Sequence, residues 1–450
     1  MKKIAKIFKN KEIVDRIFFT LMILLIFRIG AAITVPGVTI NDLSFADTNI
    51  LSMMNMLGGG ALQNFSIFAL GVSPYITASI IVQLLSMDVL PALSELNKQG
   101  QYGRKKIEMA TRYLTLLLGA VQAYGIIKTM EASSYITVEN TNFMYYVYIV
   151  TILVAGGMLV MWLGDQISSK GIGNGVSVII FAGIVVSLPN QILSAFSEYL
   201  SARIPSGVSS RIIEGAALFV LYLLAFLLII AFVIFIECSK RKIPVQHAGK
   251  SGGGQKYSQA SFLPIKINSA GVIPVIFASS LMMAPQVIVS FISGADMNSE
   301  WLNVFNTSAM TKMPWFNGGT WYMPWGLIIY ITLTILFTFF YSNLQINPHQ
   351  LAENFQKNGS YIPGIHPGNE TERYVKKVLN RVTFIGAISL AIIAALPVVL
   401  VLTNILPSSL ALGGTGLIIV VGVALEISTQ IDGLLAGKSF EEVSSRGGRD

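Results

Sequence analysis

The sequence predicts an all-α polytopic membrane protein of ten transmembrane helices in two five-helix halves, and three observations carry that prediction. Of its 450 residues 53% are hydrophobic and 12% charged, against roughly a quarter charged in an average soluble domain. The apolar residues gather into ten runs near the ~20-residue length that crosses a bilayer. Basic residues alternate with those runs. Counted from the N-terminus, 26 of the 31 Lys and Arg lie in odd-numbered loops and 4 in even-numbered ones, with Arg28 alone inside a span. Positive charge is retained in the cytoplasm, so both termini are expected there, and removing any one span would scramble the asymmetry.

The first run, Ile17–Val35, follows a basic N-terminus. It is longer than the apolar core of a signal peptide and leads to Val35-Pro36-Gly37 rather than a small-residue cleavage site, so it reads as a retained span. The second, Leu62–Leu85, is broken. Gly58, Gly59 and Gly60 precede it, Gln63 and Asn64 keep its first half wet, and Gly71, Ser73 and Pro74 interrupt the ladder before an apolar second half. The reading is two half-helices. Lipid cannot satisfy backbone groups freed at membrane depth, so such a break is expected to line a cavity. Tyr113–Ile127, Phe143–Leu163 and Val176–Leu193 complete the N-terminal half, 1–200.

A link and the sixth span occupy 201–236, with Gly215–Ile236 as the apolar run. A polar loop, 237–266, precedes the seventh and eighth spans in 267–342, at Ile267–Ile292 and Trp325–Tyr341. A second polar loop, 343–381, precedes the last two in 382–431, at Val382–Thr403 and Leu410–Ile431, and 432–450 is a tail. Five spans in each half is an odd number, which sets the halves in opposite orientations, the arithmetic of an inverted repeat.

Several chemistries find no support. The single cysteine, Cys238, allows no internal disulfide, and His247, His349 and His366 lie far apart in polar loops without metal-site spacing. The GKS in 248–254 lacks the glycine that a phosphate loop requires, since Pro244 stands there, and reads as a loop tip. GIGNG at Gly171–Gly175 has no strand before it and reads as a tight turn into the fifth span. Within the spans only Arg28 and Glu426 are ionisable, and Glu426 is close enough to the helix end to reach the interface. A pump normally keeps carboxylates at mid-membrane, so their scarcity counts against one. The candidate functions are a passive channel, a secondary transporter with inverted repeats, and a scaffold that recruits cytosolic factors. The loops 237–266 and 343–381 exceed what a connection needs. Their Lys240, Arg241, Lys242, Lys250 and Lys256, and Lys357, His366, Arg373, Lys376 and Lys377, suit a cytosolic partner rich in phosphate.

The runs NFSIFALGVSPYITASIIVQLL, KQGQYGRKK, WLGDQISSKGIGNGVSVIIFAGI, LPIKINSAGVIPVIFASS and SYIPGIHPGNETERY occur in this order along the whole chain. They resemble the SecY family, the channel subunits of the bacterial Sec protein translocase. The resemblance implies a non-enzymatic pore for unfolded secretory chains in the bacterial cytoplasmic membrane. Apolar segments would leave sideways into lipid through a lateral gate between the second and third spans and the seventh and eighth. It implies the small subunits SecE and SecG, drive from the SecA motor or the ribosome, and no cofactor. By the same resemblance, Val72, Ile76, Val176, Ile180, Ile276 and Ile419 form an apolar pore ring. A plug at about 54–68, centred on Leu57, Gly58, Gly59, Gly60, Ala61, Leu62, Gln63 and Asn64, seals the outer funnel. Many relatives carry arginine where this chain has His366, in a loop that contacts the motor. Arginine offers a carboxylate two parallel donors and neutral imidazole one, so the resemblance implies a contact that is weaker, compensated or pH-sensitive here.

Overall fold

The computed structural model describes residues 10–41, 55, 58–86, 90–132, 134–140, 142–200, 209–247, 261–289, 302, 304–307, 310, 323–403 and 413–446. In chain order these form α1 (Lys11–Ala32), β1 (Val38–Ile40), α2 (Ser73–Leu85), α3 (Pro91–Lys98), α4 (Gln101–Ala132), β2 (Ile136–Val138), α5 (Phe143–Lys170), α6 (Gly175–Tyr199) and α7 (Ser209–Cys238). The second half adds β3 (Lys240–His247), β4 (Ser261–Lys266), α8 (Ile273–Val289), α9 (Trp325–Gln345), α10 (Pro348–Lys357), β5 (Ser360–Tyr361), α11 (Asn369–Leu402) and α12 (Gly413–Arg446). Seven helices, α4 to α7, α9, α11 and α12, are long and apolar enough to cross a membrane, and α2 and α8 are shorter apolar helices. The 22-residue α1 is long enough at about 1.5 Å per residue, but it carries five charged residues, Arg28 among them.

The helices close into one circuit. In the N-terminal half α2 packs on α4, α4 on α5 and α5 on α6; in the C-terminal half α8 packs on α9, α9 on α11 and α11 on α12. Two seams join the halves, α6 against α12 and α2 against α8. Outside the circuit α1 lies on α5 and α6, and α7 lies on α12, α6 and α11. Only 11% of the apolar stretch of α7 is buried, and its exposed leucines, isoleucines and phenylalanines form a face suited to lipid.

Three boundaries differ from the sequence expectation. Residues 58–72 are a succession of turns, not a half-helix; of the proposed plug, only Asn55 is helical among the described residues, and Leu57 lies outside them. The segment KQGQYGRKK is no loop, because α4 begins at Gln101. Likewise α11 begins at Asn369, well before the apolar run, and is 34 residues long. In both cases the helix runs on past the bilayer with a polar, amphipathic start.

The two long basic loops, which the sequence presents as separate, form one platform. β3 pairs antiparallel with β4, from Lys240 opposite Lys266 to Val245 opposite Ser261. Its other edge takes β5, with Gln246 opposite Tyr361 and His247 opposite Ser360. Ile243 of β3, Ile265 of β4 and Ile362, just after β5, bury against Val375, Leu379 and Val382 of α11, a core of its own. Asn347 caps α10, its side chain accepting from the backbone N–H of His349 and Gln350 at 3.1 and 3.3 Å. His349 Nδ1 then meets Glu372 Oε2 of α11 at 2.9 Å.

Glu372 raises the His349 pKa above the ordinary histidine value, first through that hydrogen bond and then through its charge. A raised folded-state pKa stabilises fully below about pH 6.5, the ordinary histidine value, and the contribution is lost as pH rises through the folded value. The amides of α10 should therefore be better protected from hydrogen exchange near pH 6 than near pH 8, after correction for intrinsic rates. His349→Gln should remove that difference. Equal pH dependence in both proteins would show that the pair does not hold α10.

Candidate pore and its glycine seal

The turn segment 58–72 occupies space that only glycine leaves open. Gly59 has φ +73, and a Cβ added to Gly183 of α6 would lie 2.0 Å from Gly59 Cα. At the other end of the segment Gly71 has φ +53, and a Cβ there would lie 2.5 Å from Gly58 Cα. These left-handed conformations and backbone-to-backbone approaches exclude side chains. Arg28 Nη1 donates to Gly59 O at 3.1 Å, so the one basic residue within the first apolar run holds the glycine turn. Beneath it, Phe27 and Phe68 stack with ring centroids 5.8 Å apart. Ala61 and Leu62 are buried, whereas Gln63 and Asn64 are exposed. Gln63 N donates to Asn55 Oδ1 at 2.9 Å, and Ser66 Oγ donates to Ala61 O at 2.9 Å.

Val72 and Ile76, two of the six residues assigned to the ring, stand where the segment passes into α2. Val72 caps α2, with Pro74 in the first turn where a missing N–H does no harm. Ile76 N donates to Val72 O at 3.0 Å, and Ile276 N donates to Val272 O at 3.4 Å in the corresponding turn of α8. Val72, Ile76, Ile180, Ile276 and Ile419, from α2, α6, α8 and α12, lie in one large buried cluster to which α1, α5, α7, α9 and α11 also contribute, with Val176 packed against it. Both halves thus contribute to this apolar core, the candidate neck.

Sequence reasoning missed Val272, which sits in that cluster. A Cβ on Gly422 of α12 would meet its Cγ1 at 2.4 Å. The signal was present: GVSPYITAS at 71–79 and GVIPVIFAS at 271–279 agree at six of nine positions. Gly71 and Gly271 both have positive φ, +53 and +65. The turns that start α2 and α8 thus share a short sequence match and a left-handed glycine.

A cavity of about 170 Å³ adjoins the neck, lined by Tyr75, Ser79 and Gln83 together with Ile76, Val176, Ile180 and Ile276. It shares Tyr75, Ser79, Gln83 and Tyr341 with a cavity of about 550 Å³ between α2, α4 and α9. It also shares Asn174, Ser177 and Ile273 with a third, of about 220 Å³, between α6, α8 and α12. The three adjoin through these shared residues as one funnel whose wall mixes polar and apolar groups. GIGNG, the turn into α6, borders this funnel, and α6 starts at Gly175, whose N–H donates to Ser168 Oγ at 2.8 Å.

Of the residues assigned to a cytosolic partner, Lys240, Arg241 and Lys242 are exposed on β3 and His366 is exposed after β5. Arg373, Lys376 and Lys377 are exposed along one stripe of α11. Lys357 is exposed and pairs with Glu353 at 2.8 Å. The sheet brings these residues onto one platform. Lys250 and Lys256 lie outside the described residues.

A closed circuit of membrane helices, a polar funnel, an apolar neck and a turn segment wedged beyond it define a polytopic channel of the gated kind. Residues 66–428 match the SecY family model. The chain is 44% identical to a protein translocase subunit SecY 1 of Lactobacillus kefiranofaciens subsp. kefiranofaciens, over 96% of this chain and 97% of that protein. It is 43% identical to a protein translocase subunit SecY of Lactococcus lactis subsp. lactis, over 98% and 97%. A solved structure of a protein conducting channel superposes with TM-score 0.63 at 18% identity, covering 93% of this chain and 92% of that one. The channel of a canine ribosome complex from the endoplasmic reticulum gives 0.59 at 18%, over 93% and 92%. The chain belongs to the SecY family, the protein-conducting channel subunits of the Sec translocase, which are not enzymes.

Because Gly183 leaves no room for a side chain, Gly183→Val should push the glycine turn off α6 and cost on the order of 1–3 kcal/mol. The thermal midpoint in detergent should fall. Val185→Ala, on the exposed side of the same helix, should move it far less. Equal midpoints for Gly183→Val and the parent would mean that the turn does not rest on α6.

Proposed function

We propose that this chain forms the pore of a bacterial Sec translocase with ten spans in two inverted halves and both termini cytoplasmic. Val72, Ile76, Val176, Ile180, Ile276 and Ile419 are its constriction, and 57–64 its plug. The observation that carries this reading is the convergence of those six apolar side chains, from four helices and both halves, between a polar funnel and a glycine turn. Branched apolar groups at a neck exclude ions by dewetting and offer a moving peptide no hydrogen bond to linger on. The seam of α2 and α4 against α8 and α9 is the lateral gate to lipid. The basic platform, with Lys240, Arg241, Lys242, Lys250, Lys256, Lys357, His366, Arg373, Lys376 and Lys377, receives SecA or the ribosome, and SecE and SecG complete the assembly.

Two changes separate the neck from its seal. Ile419→Asn places an amide in the apolar cluster at about 1–3 kcal/mol when unsatisfied, enough to shift a closed-to-open equilibrium by about tenfold. In proteoliposomes it should admit precursors with defective signal sequences that the parent rejects; unchanged selectivity would remove Ile419 from the constriction. Deleting 57–64 should leave a channel that assembles but conducts ions at rest in planar bilayers. A deletion that stays silent without substrate would deny the segment a sealing role.

A further inference from the structure

The 220 Å³ branch of the funnel differs from the rest in its chemistry. Glu237 at the end of α7, Glu426 on α12 and Asn268 in the turn before α8 converge on it, with Lys266 on its wall. Asn268 is 1% exposed. Its Nδ2 donates to Glu237 Oε1 and, at 3.0 Å, to Gly271 O. Those bonds fix the amide orientation and leave Oδ1 without a hydrogen-bond partner among the described residues. Glu426 has no ion-pair partner among them either, and Lys266 closes no ion pair with either carboxylate. The branch therefore presents two carboxylates and an orphaned amide oxygen, all acceptors, against one lysine.

We propose that this branch is a socket for a basic side chain, arginine or lysine, of the polypeptide in transit. The inference rests on the channel reading above and names what the funnel wall recognises. A guanidinium or ammonium supplies donors to all three acceptors and carries the charge that offsets the surplus carboxylate. The space is several times the ~30 Å³ share of one water. It shares Asn174, Ser177 and Ile273 with the cavity on the neck, so a chain threading the neck reaches it without leaving the funnel. A bare metal ion is the poorer occupant, since no group of three metal-binding side chains occurs among the described residues. Basic residues of a substrate would pause on the funnel side of the apolar ring.

The test uses the full chain with its co-purified small subunits in proteoliposomes, with Cys238→Ala and a reporter cysteine, Gln345→Cys, at the rim of the branch. The probe is a secretory precursor arrested by a folded C-terminal domain. It carries one cysteine two residues from a test position occupied by arginine, glutamine or glutamate. Disulfide formation between precursor and channel should be about threefold faster with arginine than with glutamine, and slower still with glutamate, at low salt. Glu426→Gln should flatten the series. Glu426→Lys should invert it, so that glutamate crosslinks fastest, a result that no loss of folding can produce. Rates independent of the test residue in a channel that accepts all three precursors would overturn the socket alone. If the glutamine precursor does not cross the unsubstituted channel in its unarrested form, the channel reading falls, and the socket with it.

Discussion

Lipid offers no hydrogen bonds, and that constraint governs what the 58–72 segment can be. A succession of turns at membrane depth has to find its partners inside the protein. Here Val35 N donates to Phe65 O, Ile67 N to Ile33 O and Ser66 N to Ala61 O, at 3.0 to 3.1 Å. Arg28 satisfies Gly59 O from α1. Glycine then solves the second half of the problem, because backbone that must be buried against backbone leaves no volume for a Cβ, and Gly59 against Gly183 is that approach. The segment is therefore held by several hydrogen bonds, most of them to α1 and the residues after it, and by close backbone contacts at Gly59 and Gly71. A set of this kind is cooperative when intact and leaves a large hole when withdrawn.

The two seams between the halves are built differently. At the α6–α12 seam, Gly173 N, in the turn before α6, donates to Gln430 Oε1 of α12 at 2.5 Å across the halves. At the α2–α8 seam no hydrogen bond crosses among the described residues, and packing alone holds the helices together. Parting an apolar seam in lipid strands no donor or acceptor. Parting the α6–α12 seam would break one hydrogen bond, at an exposed amide, so the two seams differ by that single bond.

How much of this the sequence discloses depends on the range of the interaction. Apolar run lengths are sums over many residues, so the helical membrane class was legible. The break at Gly71 and Pro74 was legible as a break, but its first half was read as helix because Gln63 and Asn64 are equally at home in a turn. Only the positive φ values of Gly59, Gly60 and Phe65 decide that point. The platform was invisible because β5 is two residues long and pairs with a strand more than a hundred residues earlier. The orphaned Asn268 oxygen depends on one amide's orientation, which no pattern encodes. The matching GVSPYITAS and GVIPVIFAS, by contrast, are carried by the sequence itself, though nine residues are a short signal among long apolar runs.

The short match also bears on the six residues proposed as a ring. α2 has 13 residues, and at about 1.5 Å each it is roughly 20 Å long, less than a ~30 Å hydrocarbon layer. α2 and α8 both begin at a Gly-Val-x-Pro turn, so each carries a valine at the turn and an isoleucine one helical turn later. Val72, Ile76, Val272 and Ile276 enter one buried cluster together with Ile180 of α6 and Ile419 of α12, the pair at the other seam. Moving either turn by one helical residue would displace its apolar side chains by about 1.5 Å and about 100°, so the ring proposed above depends on where two prolines and two glycines stand.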